Sequence, residues 1–133
     1  MKIMLDTNVL ISALVFGGKA GKLLGKLFES THELLVSDYV DQEFKAKLQQ
    51  KWPAKADRVY ELYHTMDITF CKSTDCRLGN LRDEKDVPVL SDAIYYNVDV
   101  ILSGDKDFLE ADLKKPLVYS PAMLWDFLQE EYF

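Results

Sequence analysis

The sequence predicts an α/β fold of three layers, in which helices cover both faces of a central parallel sheet of about five strands. Short apolar runs of strand length alternate along the chain with longer segments whose apolar residues recur at helical spacing. No repeat, low-complexity tract or linker rich in Pro, Gly or Ser interrupts this alternation. We therefore expect residues 1–133 to form a single α/β/α domain.

The first predicted elements are a strand and two helices. Lys2–Leu5 is a short apolar run typical of a buried strand, and Val9–Phe16 is an apolar segment of helical length. Gly17-Gly18 then breaks the chain. Ala20–Glu29 follows as an amphipathic helix, because its leucines recur on one face and its lysines lie on the other.

A second strand, Leu34–Val36, leads into a helix over Tyr39–Lys51. Ser37 or Asp38 can cap this helix, and its apolar stripe consists of Val40, Phe44 and Leu48. A proline ends or restarts the helix, and a further helix is expected to run to about Met66.

The remaining chain is predicted to contain three strands and three helices. Ile68–Cys71 is the third strand, and the polar segment Lys72–Lys85 is the longest predicted loop, a feature that is often functional in compact domains. The later elements are a helix over Pro88–Asn97, a strand over Val98–Leu102, a short helix over Lys106–Ala111, a strand over Leu117–Tyr119 and a closing helix over Pro121–Glu131.

Composition and charge restrict the classes of protein that fit. A hydrophobic content of 48% is enough for a core without disulfides or structural zinc. The net charge of −6 argues against a broadly basic nucleic-acid surface, although residues 1–55 carry eight basic and six acidic side chains. No apolar run approaches the length of a signal peptide or a membrane span, so we expect a cytoplasmic protein with no membrane partner.

Carboxylates follow two of the predicted buried strands. Asp6 comes directly after the first strand, and the fourth strand leads into Ser103-Gly104-Asp105, with Asp107 two residues later. Ligands of open α/β sheets bind beyond the carboxyl ends of the strands, where the strand order reverses. If the first and fourth strands are neighbours there, Asp6 and Asp105 share one crevice.

Two further acids have positions from which they can face the same crevice. Glu43 lies at the border of the apolar stripe of its helix, so its side chain can point toward the sheet. Asp86 lies where a loop meets a helix, and the backbone N–H groups there favour an anion.

Converging carboxylates repel one another unless cations lie between them. Hard oxygen ligands without a neighbouring His or Cys favour Mg²⁺ or Mn²⁺ over zinc. Such ions activate water and stabilise the oxygens of a phosphodiester, so phosphodiester hydrolysis is the chemistry that this pattern indicates.

Each acid also has a simpler explanation when it is taken alone. An Asp directly after a strand is commonly a turn or helix cap. Asp86 alone is explained as a helix N-cap, and Asp107 as a cap of the short helix. Glu43 alone is an ordinary boundary residue of an amphipathic helix. Three other acids are interpreted only as solvated or capping groups: Asp83, Asp92 and Asp112.

The combination resembles the PIN-domain family, and specifically the VapC-like ribonuclease toxins of type II toxin–antitoxin systems. The resemblance covers nearly the whole chain, and the joint occurrence of its motifs at this separation is specific. The matching segments are Leu5-Asp6-Thr7-Asn8-Val9-Leu10, Leu35-Val36-Ser37 through Glu43, Arg82-Asp83-Glu84-Lys85-Asp86, and Leu102-Ser103-Gly104-Asp105-Lys106-Asp107-Phe108.

The resemblance implies a set of site residues and an activity. Its metal-binding and catalytic acids fall on Asp6, Glu43, Asp86 and Asp105, with Asp107 as an auxiliary metal ligand, and Asn8 and Ser103 match supporting polar positions. It also implies Mg²⁺ or Mn²⁺ as cofactor, endonucleolytic cleavage of an RNA substrate by activated water, a homodimer, and inhibition by a cognate antitoxin. Val87 departs from the pattern, since related toxins often have a polar residue there.

Lysines and aromatic residues suggest further contacts. The lysines can contact an RNA backbone or form a solvated helix face; they are Lys19, Lys22, Lys26, Lys45 and Lys47. The spacing around Gly17 does not fit a nucleotide-binding loop.

An aromatic tail packs in the core, with a remainder available to a partner or dimer; it comprises Trp125, Phe127, Leu128, Tyr132 and Phe133.

Three alternatives remain open. The chain can be a PIN-like module that has lost catalysis and only binds protein or RNA, or a housekeeping RNA-processing nuclease. A phosphoacceptor or phosphatase domain that uses Asp6 is disfavoured, because its characteristic second Asp would fall at Asn8.

Overall fold

The computed structural model describes residues 1–111 and 113–131, and the strands in this part of the chain form one parallel sheet. The spatial order is β3-β2-β1-β4-β5, with every neighbouring pair parallel. The strands are β1 (Lys2–Leu5), β2 (Glu33–Ser37), β3 (Thr69–Cys71), β4 (Val100–Leu102) and β5 (Leu117–Tyr119). The predicted three-layer α/β/α class with a five-stranded parallel sheet is confirmed.

Helices connect the strands and cover the sheet. A π-helical segment, Ser12–Phe16, continues the first helix, and a 3₁₀ turn, Glu84–Asp86, precedes the fifth. The helices are α1 (Thr7–Ile11), α2 (Gly18–Phe28), α3 (Asp38–Lys51), α4 (Ala56–Tyr63), α5 (Val87–Tyr95), α6 (Lys106–Glu110) and α7 (Pro121–Glu131).

Element boundaries differ from the predicted ones where side chains cap an end or the backbone turns. Helix α1 begins at Thr7 rather than Val9, because the Asp6 carboxylate accepts a hydrogen bond of 2.8 Å from the Thr7 N–H. Helix α5 ends early and β4 is shorter than predicted, because Asn97 turns the chain with a φ of 55°.

The sheet reverses its strand order at β1. The chain moves outward from β1 through β2 to β3, then crosses to β4 on the other side of β1. The register pairs Leu5, the last residue of β1, with Leu102, the last residue of β4. The predicted adjacency of the first and fourth strands is therefore confirmed, and their carboxyl ends border the switch point.

The core lies on both faces of this sheet. Strands β1 and β4 are almost fully buried, and Phe44 and Leu48 of α3 and Leu90 of α5 pack in the same hydrophobic cluster. Burying one such large apolar side chain contributes about 2–3 kcal/mol relative to leaving it exposed. The core thus holds the carboxyl ends of β1 and β4 in a fixed relation.

Polar contacts attach the loop 72–83 to α5. Ser91 Oγ accepts a hydrogen bond of 2.9 Å from the Leu78 N–H and donates one of 3.1 Å to the Leu78 carbonyl. Asp92 Oδ1 accepts a hydrogen bond of 2.7 Å from the Thr74 N–H. Asp92 is only 1% exposed, so its interpretation as a solvated group is wrong: it is a buried anchor for this loop.

Within residues 1–111 and 113–131, no helix combines the length and apolarity needed to cross a bilayer. Asp112 and the aromatic pair Tyr132 and Phe133, which the sequence analysis singled out, lie outside the described residues.

Candidate metal centre

Asp6 stands at the switch point and is held by hydrogen bonds to both of its carboxylate oxygens. Its Oδ1 accepts from the Thr7 N–H at 2.8 Å, and its Oδ2 accepts from the Ser103 hydroxyl at 2.7 Å. The side chain is 6% exposed. Its orientation is therefore fixed by α1 on one side and by the segment after β4 on the other.

Two polar residues connect the loop after β1 with the loop after β4. Ser103, which is fully buried, donates to Asp6 and accepts a hydrogen bond of 3.1 Å from the Asp105 N–H. Asn8 Oδ1 accepts a hydrogen bond of 3.0 Å from the Gly104 N–H. These contacts are the supporting positions that the sequence analysis named, and they tie Asp6 to Asp105.

Asp105 caps α6 and faces the same crevice. One of its carboxylate oxygens, Oδ1, accepts hydrogen bonds from the N–H groups of Asp107 at 2.9 Å and Phe108 at 3.2 Å. Asp107 itself is exposed and lines a different cavity, beside Arg82. Its backbone N–H orients Asp105, and its carboxylate charge is among those that raise the pKa of Asp86.

The 3₁₀ turn before α5 delivers two more carboxylates. Asp83 Oδ1 accepts a hydrogen bond of 3.0 Å from the Lys85 N–H. Asp86 occupies the position before α5, as predicted, but its side chain makes no capping hydrogen bond. Asp86 is 7% exposed, and its buried Oδ2 has no hydrogen-bond partner among the described residues.

Helix α3 forms the opposite wall. Glu43 is half-buried and lines the crevice one turn before Lys47. Tyr39, at the start of the helix, donates a hydrogen bond of 3.3 Å from its hydroxyl to the Lys85 carbonyl. Helix α3 and the turn that carries Asp83 and Asp86 are thereby held together across the opening.

The resulting cavity has a volume of about 180 Å³. Its lining residues come from β1 and α1, α3, the 3₁₀ turn with α5, and the segment after β4; they are Asp6, Thr7, Asn8, Tyr39, Glu43, Lys47, Asp83, Lys85, Asp86, Val89 and Asp105. We call it the acidic cavity. One carboxylate oxygen each from Asp83, Asp86 and Asp105 lies within 4.8 Å of the others.

Mutual repulsion and burial perturb the carboxylates here. Burial raises the pKa of Asp6, and the hydrogen bonds from Ser103 and Thr7 oppose part of that rise. Burial, together with the charges of Asp105 and Asp6 among others, raises the pKa of Asp86 to about 7. A carboxylate cluster of this kind is stable in its ionised form only with a compensating cation.

The donor set fits a hard divalent cation. All of the nearby ligand atoms that cluster within 4.8 Å are carboxylate oxygens, and the unpartnered Oδ2 of Asp86 is an oxygen that a cation would satisfy. Oxygen ligands of this type favour Mg²⁺ or Mn²⁺. The residues present are therefore compatible with the cofactor that the sequence pattern indicated.

The structure brings together four of the five acids singled out from the sequence, and it adds one. Asp6, Glu43, Asp86 and Asp105 line the acidic cavity, whereas Asp107 does not. Asp83 lines the cavity, although sequence reasoning treated it only as a solvated or capping residue. The available signal was its spacing, since residues three apart in a helical turn share a side.

The five lysines considered from the sequence lie in three places. Lys47 lines the acidic cavity together with Lys85, which sequence reasoning did not single out. Lys45 lies 5.4 Å from the centre of the Tyr60 ring. Three belong to α2, and the first two of them line a separate cavity against α7: Lys19, Lys22 and Lys26.

Comparison with solved structures identifies two proteins that share this fold. The chain is similar to VapBC2 from Rickettsia felis, crystallised with a DNA fragment from the promoter, with 16% identity and a TM-score of 0.72 over 90% of this chain and 98% of that one. It is also similar to VapC20 of Mycobacterium tuberculosis, a toxin that cleaves the sarcin–ricin loop, with 11% identity and a TM-score of 0.59 over 79% of this chain and 91% of that one.

The sequence matches a known family directly. No curated protein sequence matches the chain at a significant level. A family model described as a PIN domain matches residues 2–107, a range that contains every residue of the acidic cavity. The resemblance identified from the motifs is thus confirmed, and the chain belongs to the PIN-domain family.

Proposed function

We propose that this protein is a metal-dependent endoribonuclease that hydrolyses RNA phosphodiester bonds, and that it is the toxin of a toxin–antitoxin pair. The observation that carries the proposal is the acidic cavity, where Asp6, Glu43, Asp83, Asp86 and Asp105 converge at the switch point of the sheet. Ligand sites of open α/β sheets lie at this point, and structural stability gives no reason to gather five carboxylates there.

Asp83, Asp86 and Asp105 are the residues that would hold Mg²⁺ or Mn²⁺, with Asp6 and Glu43 beside them. The bound cation would lower the pKa of a water molecule and stabilise charge on the phosphodiester oxygens. The protein's own part is to fix the carboxylates before substrate arrives. Ser103 does so for Asp6, and the N–H groups at the start of α6 do so for Asp105.

Two lysine side chains that line the acidic cavity can bind a phosphate. Lys47 of α3 and Lys85 of the 3₁₀ turn line the cavity with the carboxylates. Ammonium groups bind RNA phosphates as point charges, independently of sequence. In a chain with a net charge of −6, such local cations offset the repulsion between RNA and the acids.

Similarity to two toxin structures supports the toxin assignment. VapC20 is a toxin that cleaves the sarcin–ricin loop, and VapBC2 is bound to a DNA fragment from the promoter. The family resemblance further implies a cognate antitoxin as the protein partner of this chain, and a homodimer as its assembly. A housekeeping role in RNA processing would use the same chemistry without the antitoxin.

The test is cleavage of single-stranded RNA by the purified protein with Mn²⁺ or Mg²⁺ and with EDTA. We expect cleavage that EDTA abolishes and that Asp6→Asn and Asp105→Asn reduce by at least about 100-fold. The matched control is Asp67→Asn, an exposed carboxylate outside the cavity, which should cleave like the unaltered chain. Full activity in Asp105→Asn would contradict the proposal, and RNA binding without cleavage would identify a binding module.

A further inference from the structure

A second cavity, of about 360 Å³, lies between the amino-terminal turns of α2 and α7. Its volume is within the range of small-ligand sites. None of its lining residues belongs to the acidic cavity; they are Lys19, Lys22, Pro121, Ala122, Trp125 and Asp126. We call it the tryptophan cavity.

The tryptophan cavity lies along the same edge of the sheet as the acidic cavity. Helix α7 begins at Pro121, two residues after β5 ends at Tyr119. The Tyr119 carbonyl accepts a hydrogen bond of 3.0 Å from the N–H of Ser103, the residue that holds Asp6. Only β4 separates β5 from β1, so the two strand ends are about 10 Å apart. From this spacing of the strand ends we expect a single extended polymer to reach both cavities.

The charge at the tryptophan cavity is opposite to that of the chain as a whole. Helix α2 contains three lysines and no acidic residue, whereas the whole chain has a net charge of −6. Lys19 and Lys22 are exposed at the cavity, and Asp126 is the acid that lines it. This local excess of positive charge would attract a polyanion.

Trp125 adds a flat, half-buried aromatic surface beside the two ammonium groups. Proteins that bind single-stranded nucleic acid combine cations for the phosphates with aromatic side chains on which bases stack. A nucleotide would use both kinds of group here, and its ribose hydroxyls could donate to the Asp126 carboxylate. An acidic peptide would use the lysines alone.

We infer that the tryptophan cavity binds one nucleotide of a single-stranded RNA whose scissile phosphodiester lies in the acidic cavity. This inference rests on the proposed function. The lysines hold the backbone and the indole stacks on the base, so the cavity positions the substrate at a distance from the reacting atoms.

The experiment uses the intrinsic fluorescence of Trp125. The chain has two tryptophans, and Trp52→Phe leaves Trp125 as the reporter. With EDTA in place of metal, a single-stranded RNA oligonucleotide should quench this fluorescence saturably. An oligonucleotide with the same phosphates but abasic positions should quench it less, because the base is absent.

Binding of end-labelled RNA to chains that retain Trp52 gives an independent measurement. Trp125→Leu should weaken binding by roughly 10-fold, because the base can no longer stack on the indole. Lys19→Gln with Lys22→Gln should reduce the slope of log Kd against log salt by about 0.7 for each phosphate that a lysine no longer neutralises. The matched control is Lys51→Gln with Lys55→Gln, two exposed lysines at the far end of α3 and beyond it, which should bind like the unaltered chain.

The outcomes separate this inference from the proposed function. If Mn²⁺-dependent cleavage occurs but the cavity variants bind and cleave RNA like the unaltered chain, the inference is wrong and the proposed function stands. If RNA quenches Trp125 and the variants weaken binding, but no cleavage occurs, the cavity assignment stands and the nuclease activity is wrong. Quenching by polyglutamate and not by RNA would overturn the inference in favour of an acidic peptide.

Discussion

Ser103 donates a hydrogen bond of 2.7 Å to Asp6 across the ends of β4 and β1. The same hydroxyl accepts from the Asp105 N–H, so one side chain sets the spacing between two carboxylates that follow different strands. Removing this hydroxyl should leave the Asp6 carboxylate buried without one of its two partners.

We therefore predict that Ser103→Ala lowers the free energy of unfolding by about 1–3 kcal/mol, the cost of an unsatisfied buried group. It should also lower metal affinity by roughly 10-fold or more, because a ligand loses its orientation. Thermal unfolding and Mn²⁺ titration measure the two effects. The control is Ser120→Ala, which removes a hydroxyl that accepts from the Met123 N–H in the first turn of α7 and should affect stability alone. Unchanged Mn²⁺ affinity in Ser103→Ala would contradict this account.

A second prediction concerns the pH dependence of stability in EDTA. The pKa of Asp86 is raised to about 7, chiefly by burial, whereas an Asp in the unfolded chain titrates near 4. The folded state therefore binds the proton more tightly. The stability that protonated Asp86 contributes is fully present below pH about 4 and is lost as the pH rises to about 7.

The size of this loss should be on the order of a few kcal/mol. Asp86→Asn removes the titration and should unfold at a temperature that depends less on pH between about 4 and about 7. Asp6 also has a raised pKa and interacts with Asp86, so Asp6→Asn and Asp6→Asn with Asp86→Asn are measured alongside, and the difference between that second pair isolates Asp86. Parallel pH profiles of the two chains would show that the buried carboxylate is not the cause.

A third prediction distinguishes Asp83 from Asp107. Asp83 lines the acidic cavity, and one of its oxygens lies within 4.8 Å of ligand oxygens of Asp86 and Asp105. Asp107 is exposed and contributes a backbone N–H, which an Asn would retain. We expect Asp83→Asn to weaken Mn²⁺ binding by about 10-fold, while Asp107→Asn stays close to the unaltered chain.

Calorimetric titration with Mn²⁺ measures both affinities. Added metal should raise the unfolding temperature more in the chain that binds it more tightly. The reverse ranking, with Asp107→Asn the weaker binder, would restore Asp107 as a metal ligand and remove Asp83. The pair is matched in chemistry, because each change replaces one carboxylate by an amide.

Much of this arrangement could be predicted from the chain alone, because it follows from strand ends. Buried apolar runs locate β1 and β4; Asp6 directly follows the first run, and Asp105 follows the second after Ser103-Gly104, so the sequence predicts that they lie together if the two strands are neighbours. Asp83 is placed by a 3₁₀ turn in a polar segment without apolar periodicity, so its spacing of three residues from Asp86 is the one signal that the sequence offers for it. Burial of Asp92 likewise depends on a loop folding back over α5.

The last prediction concerns that loop, residues 72–83, which carries Asp83. Ser91 holds both backbone groups of Leu78, and Ser91 is only 2% exposed. Ser91→Ala should therefore detach the loop at a cost of about 1–3 kcal/mol in stability. Exposed Arg77 should then be cut faster by trypsin in the native state, since local opening precedes cleavage.

A second variant can open the same loop from the other side. Gly79 has a φ of 82°, and a Cβ there would lie 2.9 Å from Leu90 Cδ2, so Gly79→Ala meets both backbone strain and a steric clash. Both variants should speed tryptic cleavage and weaken Mn²⁺ binding through Asp83, whereas Thr65→Ala, which removes an exposed hydroxyl that donates to the Leu62 carbonyl, should do neither. If the loop opens in both variants while Mn²⁺ affinity is unchanged, Asp83 is not a ligand. Because the loop is anchored on α5 and ends at Asp83, we expect loop opening to lower the metal affinity.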